Sequence, residues 1–203
     1  MTSTGRAFWL RQLHLWHWMS AAISLIGMIA FAITGVTLNH AADIPTKPKI
    51  TTLEGVLPEA LLQLVQQTDE AEAALPGGVR DWLEIELSLR VDQKPAEWSE
   101  DEIYLALPRP GGDAWLSIDR ETGEAIYEST SRGWVSYFND LHKGRSTGTA
   151  WRWFIDIFAG ACIVFSVTGL ILLQFHAVRR PSTWPLVGVS FIAPLLLIIL
   201  FMH

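Results

Sequence analysis

The sequence predicts a helical membrane protein with three transmembrane helices and a small α+β domain between the first and the second. Three stretches contain no Lys, Arg, Asp or Glu, namely residues 12–42, 157–178 and 181–203. Each can cross the ~30 Å of bilayer hydrocarbon, which takes about twenty helical residues. Residues 43–148 mix charged and apolar residues as a globular domain does, and they contain every acidic residue of the chain except Asp156.

The basic residues that flank these stretches predict their orientation. Lys and Arg in short loops are retained in the cytoplasm, so the following are expected inside: Arg6, Arg11, Arg179 and Arg180. The acidic domain and the C-terminus are then outside. The resulting division is a cytoplasmic tail at 1–11, transmembrane helices at 12–42, 149–178 and 184–203, an extracytoplasmic domain at 43–148 and a cytoplasmic turn at 179–183.

The first apolar stretch could alternatively be interpreted as a cleaved signal peptide, because signal peptides also combine a basic start with an apolar run. The stretch is longer than the apolar region of a usual signal peptide. The residues 38–41, Leu-Asn-His-Ala, are a poor cleavage site. A retained helix is therefore the prediction.

Composition excludes several kinds of site. Cys162 is the one cysteine among 203 residues, so neither a disulfide nor a cysteine metal site can form within one chain. The formal net charge is −6, and the acidic domain disfavours nucleic acid or anionic lipid as its partner. No glycine-rich dinucleotide fingerprint follows a predicted strand, so any electron donor would be external: quinol, flavin or a reductase.

The inserted domain shows helix and strand patterns. The proline-rich segment 45–49 is expected to be an extended connector, and apolar residues at helical spacing predict a short helix over 57–67. Alternation of apolar and charged residues predicts strands over 80–90 and 102–107. The stretch DAWLSIDRETGEAIYES predicts two further strands joined by a turn at Gly123.

This helix, followed by strands and a hairpin of the form ID.ETGE, resembles the PepSY module. That module is a small extracytoplasmic domain found in peptidase propeptides and in membrane proteins. The resemblance covers roughly residues 50–130 and implies a PepSY-like α+β fold for this part of the chain.

The six histidines all lie at or near the ends of the charge-free stretches. Five of them sort into two layers: His14, His17 and His176 inside, and His40 and His142 outside. Histidine can favour a membrane interface simply because it is amphipathic, whereas ionisable groups within membranes are usually retained for function. The role of His203 is left open.

Facing imidazoles on two helices are typical axial ligands of haem iron. Haem b needs no cysteine, whereas zinc or copper would require three or four converging ligands. Small residues, among them Thr34-Gly35 and Thr168-Gly169, leave room for a flat macrocycle or for close helix packing. The histidines therefore predict two haem b groups per chain, the outer one held by His40 and His142 and the inner one by His176 with either His14 or His17.

The membrane segments resemble the PepSY-associated transmembrane helix family, in the sequences RQLHLWHWMSAAISLIGMIAFAITGVTLNH and NDLHKGRSTGTAWRWFIDIFAGACIVFSVTGLILLQFH. The likeness covers nearly the whole chain. It includes the Arg-x-x-His opening at Arg11 and His14, a Thr-Gly pair late in each helix, and the pair Leu141-His142. Members of the family are bacterial inner-membrane proteins often linked to iron uptake, and some resemble haem-containing reductases of ferric siderophores in the periplasm.

The resemblance implies delivery of electrons through haem to a ferric siderophore or another ferric chelate outside. The characterised reductase-like members have four helices, so a homodimer or another partner would replace the fourth one here. Lys143 and Arg145 are candidates for attracting an anionic chelate, although they could instead pair with Asp140, Asp156 or lipid phosphate. The alternative function is a non-enzymatic regulatory or scaffold protein whose PepSY-like domain binds a peptide, peptidase or receptor.

Overall fold

A computed structural model describes residues 3–68 and 71–202, so His203 lies outside the described residues. The chain divides into two compact units, Met1–Phe31 with Trp153–His203 and Ala32–Arg152. The helices are α1 (Ser3–Asn39), α2 (Glu59–Gln66), α3 (Gly77–Glu86), α4 (Gly133–Lys143), α5 (Thr149–His176) and α6 (Thr183–Phe201), with a 3₁₀ turn at Ala177–Arg179. The strands are β1 (Lys49–Val56), β2 (Glu72–Ala74), β3 (Pro95–Trp98), β4 (Glu102–Ala106), β5 (Gly112–Asp119) and β6 (Glu124–Ser131).

Three helices in the described part of the chain are long and apolar enough to cross a membrane: α1, α5 and α6. Most of their large apolar side chains are exposed, and α6 has no buried residue at all. So much exposed apolar surface is typical of helices that face lipid. The three predicted membrane helices are therefore confirmed as features of the fold.

Helix α1 is longer than the stretch that predicted it. It begins at Ser3 rather than at residue 12, and it ends at Asn39 rather than at residue 42. Its 37 residues give a length of about 55 Å at 1.5 Å per residue. Part of α1 therefore extends beyond the ~30 Å of bilayer hydrocarbon.

Helices α1 and α5 pack closely at a glycine. Phe158 of α5 is buried, and its ring occupies the space where a side chain at Gly27 of α1 would lie. The ring of Phe31 stacks on Phe158 with 5.0 Å between the ring centroids. At this position the small residue of α1 serves helix packing.

The unit Ala32–Arg152 contains a six-stranded antiparallel sheet with the strand order β1-β6-β5-β4-β3-β2. Alternate residues of β5 are buried, as expected for a strand with one face on a core. The core also includes Leu62 and Val65 of α2 and Val79 and Leu83 of α3. This α+β domain lies between α1 and α5 along the chain, as the sequence predicts.

The strand predicted over 80–90 is wrong, because residues 80–86 belong to helix α3 and residues 87–90 form neither helix nor strand. Val79 and Leu83, four residues apart, are fully buried, whereas Ile85 is 77% exposed. The burial therefore follows the helical period rather than alternation. Short segments can satisfy both periods, and only the three-dimensional packing decides between them.

The hairpin predicted at Gly123 is confirmed, as are the helix over 57–67 and the strand over 102–107. Gly123 has a φ of 76°, a value that glycine adopts without steric cost. Oδ1 of Asp119 accepts the backbone N–H of Thr122 at 2.7 Å and that of Glu121 at 2.9 Å. These bonds, with the Thr122 contact the stronger cause, lower the pKa of Asp119 below its ordinary value.

Asp119→Ala is expected to lower the Tm of the inserted domain by a few degrees at pH 7, because the turn loses its acceptor. A carboxylate with a lowered folded-state pKa stabilises the fold above its unfolded pKa of about 3.9, and this contribution is lost as pH falls through the folded value. The deficit of the variant should thus shrink at acid pH. Thermal unfolding of the full-length protein in detergent measures this difference in Tm, with Glu121→Ala as the control. An equal decrease in Tm at every pH would contradict the stabilising role of the Asp119 carboxylate.

Candidate functional site

An open groove of about 870 Å³ lies in the unit formed by Met1–Phe31 and Trp153–His203. It is lined by two predicted ligands, His17 of α1 and His176 of α5, and by Arg180. The rest of the lining is mostly apolar or small, with Phe165, Ser166, Gly169, Leu170, Leu172, Leu173 and Thr183. The volume is typical of a pocket for a small molecule or cofactor, which is apolar with a few polar groups.

His17 is held by α5 through one edge of its ring. Its Nδ1 lies 3.1 Å from Oγ1 of Thr168 and 3.2 Å from the carbonyl oxygen of Phe165. The ring also stacks on Phe165, with 4.7 Å between the centroids and 16° between the planes. A carbonyl oxygen only accepts, so Nδ1 is a protonated nitrogen, and in the neutral imidazole Nε2 then keeps its lone pair.

Gly169 provides room for this ring. A Cβ at Gly169 would lie 3.2 Å from Cε1 of His17, which is closer than a side chain and a ring normally pack. The Thr168-Gly169 pair therefore does more than allow helices to approach. The threonine binds the imidazole and the glycine makes space for it.

His14 and His176 each bond to their own helix. Nδ1 of His14 donates to the carbonyl of Leu10 at 2.8 Å, and Nδ1 of His176 donates to that of Leu172 at 2.8 Å. In the neutral form of both, Nε2 is the nitrogen with the free lone pair that can bind a metal. His14 is exposed and does not line the groove, so the structure brings His176 together with His17 rather than with His14.

On the predicted outer side, His142 lies in the last turn of α4 and contacts α1. Its Nδ1 is 2.6 Å from Oγ1 of Thr34, and a Cβ at Gly35 would lie 3.9 Å from its Cε1. The Thr34-Gly35 pair thus contacts the same ring edge of His142 that Thr168-Gly169 contacts in His17.

Helix α4 is fixed by two buried polar residues. Oδ1 of Asn139 accepts the hydroxyl of Thr37 at 2.6 Å, and Oδ2 of Asp140 accepts the backbone N–H of Gly111 at 2.9 Å. The helix then ends at Gly144, whose φ is 65°, the left-handed conformation common after a helix. These contacts fix the turn that carries His142.

His40 is exposed beyond the end of α1. Its Nδ1 donates to the carbonyl of Val36 at 3.0 Å, so Nε2 again keeps its lone pair. His40 and His142 both belong to the unit Ala32–Arg152. Their Nδ1 atoms bond to different residues of α1, Val36 for His40 and Thr34 for His142.

Lys143 and Arg145 are exposed, and neither forms an ion pair. Among the residues that the structure describes, the one ion pair joins Arg90 and Glu84 at 2.6 Å. The carboxylate of Asp140 accepts a backbone N–H instead of pairing with these cations. Both cations are thus available to an anionic ligand.

A second cavity, of about 490 Å³, lies in the unit Ala32–Arg152. Arg109 lines it together with Trp134 and Tyr137 of α4. Gly111 allows the chain to approach the backbone of Tyr137 closely. Its φ is 71°, and a side chain at this position would collide with that backbone. A guanidinium beside two aromatic rings is suited to an anionic or aromatic group.

The described residues contain no group of three or more His, Cys, Asp or Glu side chains that could hold a metal ion. A histidine pair alone leaves most coordination positions of a metal unfilled. Metal binding by these histidines would therefore require a group that brings further ligands with it.

Fold and site together define a helical membrane protein with a small α+β domain between its first two membrane helices and with histidines at the helix ends. The chain matches the PepSY_TM-like family over residues 8–203 and belongs to that family. The predicted kinship with PepSY-associated membrane proteins is thereby confirmed. None of the curated proteins and none of the solved structures matches the chain.

Proposed function

We propose that the protein is a haem-containing electron-transfer protein of the bacterial inner membrane that reduces a ferric siderophore or another ferric chelate in the periplasm. The observation that carries the proposal is the groove that contains His17, His176 and Arg180. Two imidazoles with unprotonated Nε2 atoms suit axial ligation of haem iron. The guanidinium of Arg180 suits a carboxylate such as a haem propionate.

The residues present fit haem better than a bare metal ion. A porphyrin brings four nitrogen ligands of its own, so two histidines complete the coordination without a third protein ligand. Bound haem supplies reversible one-electron transfer at the iron. Phe165 and Leu173 contribute an apolar lining beside the histidines, and Gly169 leaves space beside His17.

At the outer side, His142 and His40 are the proposed ligands of a second haem b. Thr34 holds the ring of His142, and His40 presents an unprotonated Nε2. In the proposed orientation the N-terminus is cytoplasmic, and the soluble domain and the C-terminus are periplasmic, because basic residues mark the inside. Electrons come from an external donor: quinol, reduced flavin or a reductase.

Ferric chelates are proposed to approach beside Lys143 and Arg145, which form no ion pair and lie on an otherwise acidic unit. Cations near a site raise the local concentration of anionic ligands. The absence of buried residues from α6 in the described chain leaves its surface available to a second copy of the protein in place of the fourth helix.

The absorption spectrum of the purified full-length protein, with its haem-to-protein ratio, tests the proposal. We expect a Soret band, sharp α and β bands after reduction, and about two haems per chain, as low-spin bis-histidine haem requires. Colourless protein from haem-replete cells would contradict the proposal and favour the regulatory or scaffold function.

The same sample tests the substrate. Chemically reduced protein should be reoxidised by ferric chelates, and charge reversal with Lys143→Glu and Arg145→Glu should slow this reaction several-fold at low salt without altering the haem content. Lys94→Glu with Arg90→Glu is a charge-matched control on the same unit. Unchanged rates for several chelates would contradict the proposed approach site.

A further inference from the structure

We propose that Thr168-Gly169 and Thr34-Gly35 are two copies of one histidine-positioning unit. In each copy, the threonine hydroxyl bonds Nδ1 of a histidine from another helix and orients its ring, and the adjacent glycine lies beside Cε1 of the same ring. The proposal rests on the proposed function for its effect on haem, whereas the hydrogen bond itself can be measured without haem.

In the first copy, a chain of hydrogen bonds determines where the proton lies. The hydroxyl of Thr168 donates its single proton to the carbonyl of Val164 at 2.6 Å. Its oxygen can therefore only accept from Nδ1 of His17, which lies at 3.1 Å, and the carbonyl oxygen of Phe165 accepts from the same nitrogen at 3.2 Å. Two acceptors thus orient an Nδ1–H imidazole, and in the neutral ring its Nε2 can bind a metal, the arrangement typical of metal-binding histidines with an oriented second nitrogen.

The glycine contacts the neighbouring atom of the same ring. The position of a Cβ on Gly169 is 3.2 Å from Cε1 of His17, and Cε1 is bonded to Nδ1. The Thr-Gly pair thus contacts the Nδ1–Cε1 edge. The rest of the ring, including Nε2, is left to face other groups.

The second copy repeats this contact with the helices exchanged. Here α1 contributes the pair, with Thr34 Oγ1 at 2.6 Å from Nδ1 of His142 and Gly35 opposite Cε1. In the first copy α1 contributes the histidine instead. The recurrence of the same two contacts with His17 and His142 indicates a common task, because helix packing alone requires neither the hydroxyl nor its position next to the glycine.

Substitution of a residue that orients a metal-binding histidine commonly weakens metal affinity 10- to 100-fold. Thr168→Val keeps the shape of the side chain and removes the acceptor, so we expect haem affinity at the inner site to fall by about this factor. Thr168→Ser keeps the acceptor and should retain affinity. Ser24→Ala is the control, since it removes a buried hydroxyl that bonds only within α1.

Two measurements on the full-length protein in detergent decide the matter. Haem titration into apoprotein gives the affinities. The ¹⁵N shift of Nδ1 of His17 in apoprotein reports its hydrogen bonds, and it should change in Thr168→Val and be retained in Thr168→Ser, while the carbonyl of Phe165 keeps Nδ1 protonated in both. Thr34→Val and Thr34→Ser test His142 in the same way.

The possible results are distinguishable. If Thr168→Val keeps both the wild-type haem affinity and the wild-type Nδ1 shift of His17, the positioning role is wrong even though the protein binds haem. If wild type binds no haem, the proposed function is wrong, and the ¹⁵N shifts still decide whether Thr168 orients His17.

Discussion

His17→Ala is expected to remove the inner haem and lower the haem-to-protein ratio by about half, whereas His14→Ala should leave both haems bound. His17 lines the same groove as His176 and is fixed by Thr168, while His14 is exposed and bonds only to Leu10. Loss of an axial ligand removes a bond to the iron that no neighbouring side chain replaces. Reduced-minus-oxidised spectra and haem quantification of each purified variant measure the effect.

His176→Ala should cause the same loss as His17→Ala, and the double variant should lose no more than either single one, because the two residues are proposed to bind the same haem. The comparison with His14→Ala controls for loss of a histidine near the same end of α1. Retention of the inner haem in His17→Ala together with its loss in His14→Ala would exchange their roles.

His142→Ala is expected to remove the other half of the haem and to leave the inner spectrum unchanged. His142 is the partly buried histidine of the outer pair and contacts Thr34 of α1. His40→Ala should give the same phenotype, and combining His142→Ala with His17→Ala should give a protein without haem. Redox titration with optical detection measures which centre remains.

Asn139→Ala is a useful companion to His142→Ala, because it loosens α4 through the lost Thr37 bond while keeping the histidine. It should reduce haem occupancy less than His142→Ala does. If His40→Ala and His142→Ala both keep two haems per chain with unchanged potentials, the outer pairing is wrong.

The membrane helices and the β5–β6 hairpin could be predicted because their signals are local. A run without charged residues indicates a lipid environment directly, and Gly123 adopts the positive φ that the turn requires. Helix α3 was predicted wrongly because RDWLEIELSLR satisfies both the period of a strand and that of a helix. The burial of Val79 and Leu83 beneath the sheet selects the helix.

Helix α4 was not predicted, although it has a recognisable signal. Trp134, Phe138 and Leu141 recur at helical spacing, and Gly144 follows the last residue as a C-terminal glycine commonly does. The segment is short and directly precedes a much longer membrane helix. The predicted membrane boundary at residue 149 therefore left it inside the preceding domain without an element of its own.

The roles of Thr34 and Thr168 could not have been derived from spacing. Thr168 binds a histidine 151 positions away in the chain, and Thr34 binds one 108 positions away. Sequence alone shows two Thr-Gly pairs and leaves helix packing as an equal explanation. Spacing also could not decide between His14 and His17, since residues three apart lie on neighbouring parts of one helix face. Only the lining of the groove distinguishes the two histidines.

Because β1 pairs with β6, the chain enters and leaves the sheet of the soluble domain at neighbouring positions. Lys49 at the start of β1 is opposite Ser131 at the end of β6, and such partners have Cα atoms about 5 Å apart. The chain thus leaves the sheet beside the point where it entered, as is common at sites where whole domains are inserted. No histidine lies between these two residues, so the domain could be exchanged or shortened during evolution while all six histidines stay in the rest of the chain.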